Sequence, residues 1–354
     1  MSRFLDKRLS SLKAYIPGEQ PKLGEFIKLN TNEFPYPPAK CVFESASKAV
    51  ENMNLYSDLT CKELKERFKD VFGYGGNNVI FTNGSDDALY LCFLTFCGED
   101  CGAAFADITY GFYSVYADLC CVDKQIIPLN DVFAINHADY FGLNKTIFIA
   151  NPNAPTGKRL SNNQIEEILI NNRDNIVVID EAYTAFSGES CVELLPKYDN
   201  LVIVGTFSKS RGMAGARLGY IITSEDIASD LEKVKFSINP YNVNSLTQAV
   251  GTTVLENNDY YVECINEICK TRDKFSEELV KLGFDVIPSK ANFVFAKHNS
   301  ISGKYIFEEL KKRKILIRRF DKERIDEYLR ISIGTPEQMQ IVINALAEIV
   351  GGIK

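Results

Sequence analysis

The sequence contains no tryptophan and only 2 histidines among its 354 residues. A metal site built on several histidines is therefore excluded. No apolar run reaches the roughly 18 residues that suggest a membrane-spanning helix, so none is expected. The opening segment, MSRFLDKRLSSLKAYIPG, has no apolar core of the kind that a secretory signal peptide carries.

The 10 cysteines form no recognisable metal or disulfide pattern. None belongs to a CxxC motif, and no four Cys or His residues have zinc spacing. Cys92, Cys97 and Cys101 come closest, but they lie in the apolar run LYLCFLTFCGEDCGAAF, where cysteine usually packs as a small hydrophobic side chain. We therefore expect reduced, packed thiols, no bound metal and a cytoplasmic location.

The composition is that of an ordinary globular protein, with 45% hydrophobic and 25% charged residues. Its 40 basic and 47 acidic residues give a net charge of −7, which argues against nonspecific binding to nucleic acid. A chain of this length is expected to form about two domains.

Short apolar segments alternate with helical patterns from about residue 60 onward. Near-continuous apolar strands such as NIVVIDEAY and LVIVGTFSKS are typical of a parallel sheet covered by helices on both faces. In such sheets the ligand lies beyond the carboxyl ends of the strands. Those ends carry Gly84-Ser85-Asp86, Tyr110, Asn151–Gly157, Asp180–Tyr183 and Ser208-Lys209. After about residue 240 the pattern changes and indicates a smaller α+β domain.

Lys209 follows an apolar strand within TFSKSRGMAGARLGY. Burial there would lower the pKa of its amine and make it a nucleophile toward an aldehyde. Arg217, with serine and threonine hydroxyls nearby, suits a phosphate ester. An isolated Ser-Lys pair would more often be an ordinary loop, but the whole string is more specific.

Asp180 ends the apolar strand of NIVVIDEAY. A carboxylate in that position is costly to ionise unless a cation or several donors meet it, and a protonated pyridine nitrogen is such a partner. Tyr183 lies three residues further on and could direct its hydroxyl into the same site. A solvated acid in a turn is the alternative reading of Asp180.

Three further turns present candidate ligands. Asn153, in the rigid turn NPNAPTG, could hold a phenolic oxygen. Gly84 permits a tight turn before a helix whose amino terminus would attract an anion, although Asp86 could be a plain helix cap. Tyr110 could lay its ring on a flat heterocycle, or it could be a buried aromatic at a strand end.

Together these segments resemble the pyridoxal-phosphate (PLP) aminotransferases of fold type I, and most closely the histidinol-phosphate aminotransferase family. The resemblance covers nearly the whole chain in order: KLNTNEFPYPP, LYSD, NGSDDAL, ITYGFY, NPNAPTG, VVIDEAY, TFSKSRGMAGARLGY, SKANFVF, ILIRRF and LRISIGT. It implies an α/β fold with a mainly parallel central sheet and a smaller α+β domain. The expected division is an N-terminal arm over 1–27 that packs with the small domain, a PLP-binding domain over 28–240, and a small domain over 241–354.

The resemblance also implies a role for each candidate residue. Lys209 resembles the lysine that bonds to PLP, and Asp180 resembles the partner of its pyridine nitrogen. The other expected cofactor contacts are Asn153 and Tyr183 at the ring oxygen, Tyr110 on the ring face, and Ser85, Asp86, Thr206, Ser208 and Arg217 around the phosphate. Tyr56 matches a tyrosine that reaches the partner subunit's cofactor, which implies a homodimer. Asn32, Arg318 and Arg330 match positions on the substrate side.

The sequence departs from the family pattern at two points. The proline that usually precedes the tyrosine of TYGFY is absent, because Ile108-Thr109 stands before Tyr110. The common YPD is Tyr56-Ser57-Asp58, a change that could alter how Tyr56 is presented.

The implied reaction is transfer of an amino group from histidinol phosphate to 2-oxoglutarate, which yields imidazole-acetol phosphate and glutamate in histidine biosynthesis. An aminotransferase for aromatic or other amino acids and a threonine-phosphate decarboxylase are alternatives on the same scaffold, and KLNTNEFPYPP favours the first assignment over the decarboxylase. An amino-acid-sensing regulator would need a DNA-binding domain, for which the short arm is not expected to leave room. We expect no nucleic-acid or membrane partner.

Overall fold

The structure is a computed structural model that describes residues 2–22 and 24–352. Its helices are α1 (Lys40–Val50), α2 (Lys62–Phe72), α3 (Gly84–Phe96), α4 (Phe112–Leu119), α5 (Asn162–Ile170), α6 (Phe207–Ser210), α7 (Glu225–Ile238), α8 (Ser245–Glu256), α9 (Asn258–Lys281), α10 (Gly303–Lys312) and α11 (Pro336–Gly351). Within these residues no helix has the length and apolar character needed to cross a bilayer.

The strands form one large sheet, one small sheet and one isolated pair. They are β1 (Ile27–Lys28), β2 (Val79–Thr82), β3 (Gly102–Ala106), β4 (Lys124–Ile127), β5 (Lys145–Ala150), β6 (Val177–Asp180), β7 (Leu201–Thr206), β8 (Gly219–Thr223), β9 (Phe284–Ile287), β10 (Phe293–His298), β11 (Ile315–Leu316), β12 (Arg318–Arg319) and β13 (Leu329–Ser332).

The large sheet has the strand order β2-β8-β7-β6-β5-β3-β4. Strand β8 runs antiparallel to both its neighbours, and the other pairs are parallel. Val177 and Ile179 of β6 pack into the hydrophobic core on one face, whereas Val178 packs into the core on the other. Because both faces are covered, the central strands β6 and β7 are buried along their whole length. The predicted mainly parallel sheet is confirmed.

The register of the central strands brings the candidate residues to one edge. Asp180 at the end of β6 pairs with Ala150 of β5 and with Val204 of β7. The chain leaves β5 into the turn that holds Asn153 and leaves β7 into α6, which carries Lys209. The carboxyl ends of three parallel strands therefore deliver these side chains to the same place.

The small sheet is antiparallel, with the order β12-β13-β10-β9, and packs with α9, α10 and α11 around a second core. Helix α8 lies beyond residue 240 but contributes Val250 and Val254 to the core of the large sheet. The arm contacts the small sheet's helices through an ion pair between Glu19 and Lys311. The domain limits given above remain predictions.

Candidate active site

A cavity of about 380 Å³ lies at the carboxyl ends of the central strands, where the small sheet meets the large one. It is lined by Asn32, Asp86, Tyr110, Tyr183, Lys209, Arg217, Arg318 and Arg330, among others. A smaller cavity of about 80 Å³ shares Tyr110, Tyr183 and Lys209 with it and is also lined by Ser85 and Asp180. The structure thus brings most of the predicted site residues together.

Lys209 lies in α6 immediately after β7. Thr206 caps this short helix by accepting a hydrogen bond from the Ser208 amide over 3.1 Å. The amine of Lys209 donates to the carbonyl oxygen of Thr31 over 3.0 Å. Burial, and secondarily the positive charge of Arg330, lower the pKa of Lys209 from 10.5 to about 8. A sizeable fraction of this amine is therefore neutral near neutral pH.

Asp180 is buried at the end of β6, so it is not a solvated turn acid. Its Oδ2 accepts from the Tyr113 hydroxyl over 2.8 Å, and its Oδ1 accepts from the Ala182 amide over 3.1 Å. Burial raises the pKa of Asp180 to about 6, although both hydrogen bonds oppose that rise. A protonated ring nitrogen in the small cavity would give this carboxylate the cation that it lacks.

Tyr113 is a site residue that the sequence did not reveal. The available signal is its spacing, three residues after Tyr110 in YGFY, and the Tyr113 amide donates to the Tyr110 carbonyl over 3.2 Å. Spacing alone could not reveal that its hydroxyl reaches a carboxylate on a different strand.

The amino terminus of α3 and Arg217 meet in one corner of the cavity. The helix cap is Asn83, so the reading of Asp86 as a plain cap is wrong. Asp86 lies in the first turn, accepts from Arg217 over 2.8 Å and accepts from the Tyr110 hydroxyl over 2.6 Å. The first-turn amides of a helix have no acceptor within the helix, so together with the nearby guanidinium they suit a phosphate group.

Gly84 and Gly219 allow this corner to form. Gly84 has φ +82°, a conformation that residues with side chains rarely adopt. A Cβ on Gly219 would lie 2.3 Å from the carbonyl carbon of Gly84. Strand β8 can therefore pass directly behind the start of α3 only because residue 219 is glycine.

Tyr183 and Asn153 are placed differently. Tyr183 lines both cavities, and its hydroxyl oxygen accepts from the Asn32 amide over 2.9 Å. Asn153 is buried behind the wall, where its side chain accepts from Thr109 over 2.7 Å and donates to the Ile108 carbonyl over 2.9 Å. Asn153 therefore borders the site without being among the residues that line either cavity.

Two arginines of the small sheet face the cavity. Arg330 donates to the Asn30 carbonyl over 2.8 Å, while its Nε is buried and has no hydrogen-bond partner in the described part of the chain. The guanidinium carbons of Arg318 and Arg330 lie 5.5 Å and 5.6 Å from the centre of the Phe320 ring. Arg319 instead pairs with Asp321, so Arg318 is the residue of this pair that lines the cavity.

The N-terminal arm supplies part of the wall, which the sequence did not reveal. The Tyr15 ring stacks on Phe112 with 4.2 Å between ring centres and lies 6.4 Å from Tyr110. The carbonyls of Ile16 and Pro17 accept from Arg318 over 3.4 Å. The arm therefore contacts both α4 and the small sheet at the cavity.

Tyr56 is not at the cavity of its own chain. Its side chain is 83% exposed, and its ring stacks on Tyr241 with 4.4 Å between centres. Four apolar side chains that precede Tyr56 in the sequence are also exposed, namely Phe43, Val50, Met53 and Leu55.

The described residues contain neither a candidate metal site nor a disulfide bond. No cluster of three or more His, Cys, Asp or Glu side chains there could hold a metal ion. All 10 cysteines, which fall within the same residues, are free thiols.

A sequence model of the family described as aminotransferase class I and II matches residues 24–346. The histidinol-phosphate aminotransferase of Brachyspira hyodysenteriae is 42% identical over 99% of this chain and 99% of its own. The chain belongs to the histidinol-phosphate aminotransferase family. The enzyme of the same name from Lactococcus lactis subsp. cremoris strain SK11 is 45% identical over 96% of each chain.

Solved structures share the fold of this aminotransferase. Histidinol-phosphate aminotransferase from Sinorhizobium meliloti, in complex with pyridoxal-5′-phosphate, matches with a TM-score of 0.87 over 100% of both chains at 21% identity. L-threonine-O-3-phosphate decarboxylase from Porphyromonas gingivalis matches with a TM-score of 0.80 over 92% of this chain and 99% of its own, at 22% identity. At such identities the likeness establishes the fold alone, and the predicted fold type is confirmed.

The cofactor of this aminotransferase is PLP. Three independent features of the site fit PLP. Lys209 offers a buried amine of lowered pKa, Asp180 offers a buried carboxylate in need of a cation, and Arg217 with the start of α3 offers a phosphate-binding corner.

Proposed function

We propose that this aminotransferase moves the amino group of histidinol phosphate to 2-oxoglutarate, giving imidazole-acetol phosphate and glutamate in histidine biosynthesis. The observation that carries the proposal is one cavity lined by Lys209, by Arg217 beside the start of α3, and by Arg318 and Arg330 of the small sheet. Among the described residues that line it, Lys209, Arg217, Arg318 and Arg330 are cationic, and Asp86 is acidic. The names of the close relatives support the choice of substrate.

The proposed cofactor contacts are those that the family resemblance implies. Asp180 would hold the protonated ring nitrogen, Tyr110 would lie on the ring face, and Tyr183 would bind the ring oxygen. Asn153 would reach the ring oxygen only if its amide gave up the Ile108 carbonyl, which it binds over 2.9 Å. The phosphate would lie among the Ser85 and Asp86 amides, the hydroxyls of Thr206 and Ser208, and Arg217.

Bound PLP supplies an aldehyde that bonds to the substrate amine and a ring that takes up electrons when the α-proton leaves. The protein's part in the proton transfer falls to Lys209. Its pKa of about 8 lets the amine accept a proton and return it near neutral pH. The Thr31 carbonyl, 3.0 Å from Nζ, orients the amine toward the cavity.

Arg318 and Arg330 would bind the anionic end of each substrate. One substrate carries a phosphate and the other a carboxylate, and a guanidinium can bind either with two parallel hydrogen bonds. The buried Nε of Arg330 has no hydrogen-bond partner among the described residues, so it can donate to an anion where the hydrogen bond is strongest. Asn32 would fix the Tyr183 hydroxyl beside the same ligand through its 2.9 Å hydrogen bond.

We also propose that the protein is a cytoplasmic homodimer whose active sites are shared. Tyr56, with its exposed ring and apolar neighbours, would cross to the partner subunit's cofactor phosphate. The concentration of exposed apolar side chains within residues 43–56 supports an interface on this segment.

Complementing variants test the shared site. Lys209→Ala and Tyr56→Ala subunits, each weakly active alone, should regain activity when co-expressed with different tags and purified as a mixed dimer. In the mixed dimer one of the two sites has both residues, so about half of the wild-type activity per dimer is expected. A mixed dimer as inactive as its parents would overturn the shared site.

The substrate assignment is tested by kcat/KM for a panel of amino donors with 2-oxoglutarate. Histidinol phosphate is expected to exceed phenylalanine and phosphothreonine. A higher kcat/KM for phenylalanine would instead identify an aromatic aminotransferase. Release of carbon dioxide from phosphothreonine would identify a decarboxylase.

A further inference from the structure

The segment between β12 and β13, residues 320–328, leaves the small sheet and packs on the large one. Ile325 and Tyr328 share a small hydrophobic core with Ala106, Ile108 and Leu129. At the start of the segment, Phe320 lies beside the two arginines that face the cavity. The segment therefore connects the substrate side of the site to the end of β3.

Arg324 makes the polar contact at the centre of this connection. Its guanidinium lies 3.1 Å from Oδ2 of Asp107 and donates to the carbonyls of Leu129 and Asn130, each over 2.9 Å. Lys322 also donates to the Asp107 carbonyl. Arg324 has φ +70°, which residues with side chains rarely adopt. The hydrogen bonds of its guanidinium offset the cost of that backbone conformation.

Asp107 is held by the large sheet's own loops. Its Oδ1 accepts from the Ile108 amide over 2.8 Å and from the Leu129 amide over 2.9 Å. The next residues, Thr109 and Tyr110, line the cavity. A shift of Asp107 would therefore also move Tyr110, which lies three residues further on and lines the cavity.

We propose that Arg324 is a positioning residue for substrate binding. By tying residues 320–328 to Asp107, it fixes the separation between Arg318 and Arg330 on one side of the cavity and Tyr110 on the other. A phosphorylated substrate that must reach both sides at once requires that separation to be constant. The kinetic part of this proposal rests on the proposed function, whereas the contact itself does not.

The kinetic test compares Arg324→Met with the PLP-loaded wild-type protein. Loss of a contact that positions substrate equally in the ground and transition states should raise KM for histidinol phosphate about tenfold, with kcat within about twofold. A role in folding alone would lower the apparent kcat through a smaller active fraction and leave KM unchanged, which would overturn the proposal. Arg324→Lys should recover part of the effect, since one amine can reach Asp107 but not all three acceptors.

Matched variants separate this contact from general loss of charge. Arg313→Met removes an arginine of the same small domain that pairs with Glu309 on its own helix, and KM should stay at the wild-type value. Asp107→Asn should raise KM as Arg324→Met does. The double variant should raise KM by less than the product of the two single effects, because both single variants remove the Arg324–Asp107 pair. Fully additive effects would contradict the coupling.

A readout independent of substrate keeps the proposal distinct from the proposed function. Amide hydrogen exchange in the PLP-loaded protein should rise in Arg324→Met both at residues 320–328 and at residues 107–112. In Arg313→Met neither segment should change. If only residues 320–328 respond, the segment is anchored but does not position the opposite wall, and the proposal is overturned. If histidinol phosphate proves not to be the substrate, the exchange result still decides whether the two walls are coupled.

Discussion

The hydroxyl of Tyr113 donates a hydrogen bond to Oδ2 of Asp180 over 2.8 Å, and both side chains are buried. The hydrogen bond favours the ionised carboxylate, because it lowers a pKa that burial raises to about 6. Tyr113 thus helps to keep Asp180 negatively charged at the position where the cofactor's ring nitrogen is expected.

Tyr113→Phe should therefore weaken catalysis without removing the cofactor. The pKa of Asp180 rises when the donor is lost, so the acidic limb of the kcat/KM profile should shift to higher pH. At pH 7 we expect kcat/KM to fall about tenfold, the effect of one hydrogen bond to a charged group. Tyr140→Phe is the control, because the buried Tyr140 hydroxyl has no partner among the described residues. An unchanged pH profile in Tyr113→Phe would contradict this role.

Capture of PLP by the cofactor-free protein should depend on pH through Lys209. The neutral amine is the nucleophile, and burial lowers its pKa from 10.5 to about 8. The rate, followed by absorbance after rapid mixing, should rise with pH and reach half its limit near pH 8. At pH 7.5 roughly a quarter of the amine would be neutral, against about 0.1% for an unperturbed lysine. A midpoint near pH 10 would mean that Lys209 is not buried as described.

The neighbouring arginines Arg318 and Arg319 should behave differently. Arg318 lines the cavity, whereas Arg319 pairs with Asp321. Arg318→Gln should raise KM for histidinol phosphate about tenfold or more, because a charge-assisted contact to the substrate's anion is lost. In Arg319→Gln, KM should remain within about twofold of the wild-type value, because Arg319 does not line the cavity. Equal effects on KM in initial-rate measurements would refute the assignment of Arg318.

Gly219→Ala should destabilise the protein. The new Cβ would lie 2.3 Å from the Gly84 carbonyl carbon and 2.5 Å from the Ser85 amide nitrogen, and neither backbone can move without displacing the start of α3. We expect a loss of about 1–3 kcal/mol in the free energy of unfolding. Gly215→Ala, whose Cβ would meet nothing within 4 Å, should change it by less than about 0.5 kcal/mol. Urea denaturation of both variants provides the comparison, and equal stabilities would contradict the close approach.

Much of the fold was predictable because its signals are local. The apolar strand ending at Asp180 and the one before Lys209 could be recognised by their composition, and parallel pairing brings their ends together. The departure of β8, which runs antiparallel, could not be predicted in this way, since strand direction depends on connections over long distances.

The parts of the site that the sequence did not reveal depend on tertiary contacts. Tyr15 and Arg324 reach the cavity or its wall from segments far apart in the chain, and nothing in their local sequence specifies a partner. Asn153 was predicted from a turn whose orientation only the folded chain determines, and its amide binds the Ile108 carbonyl. The proposed role of Tyr56 requires a second subunit, so neither one sequence nor one chain can test it.

The central claim is that Lys209, in this cavity, is the residue that carries the cofactor. The most direct measurement is to load the purified protein with PLP, reduce it with borohydride and locate the added mass by peptide mapping. The account predicts one modified peptide, the one that contains Lys209, and no stable label in Lys209→Ala. Labelling of a different lysine in the wild-type protein, with Lys209 unmodified, would contradict the account.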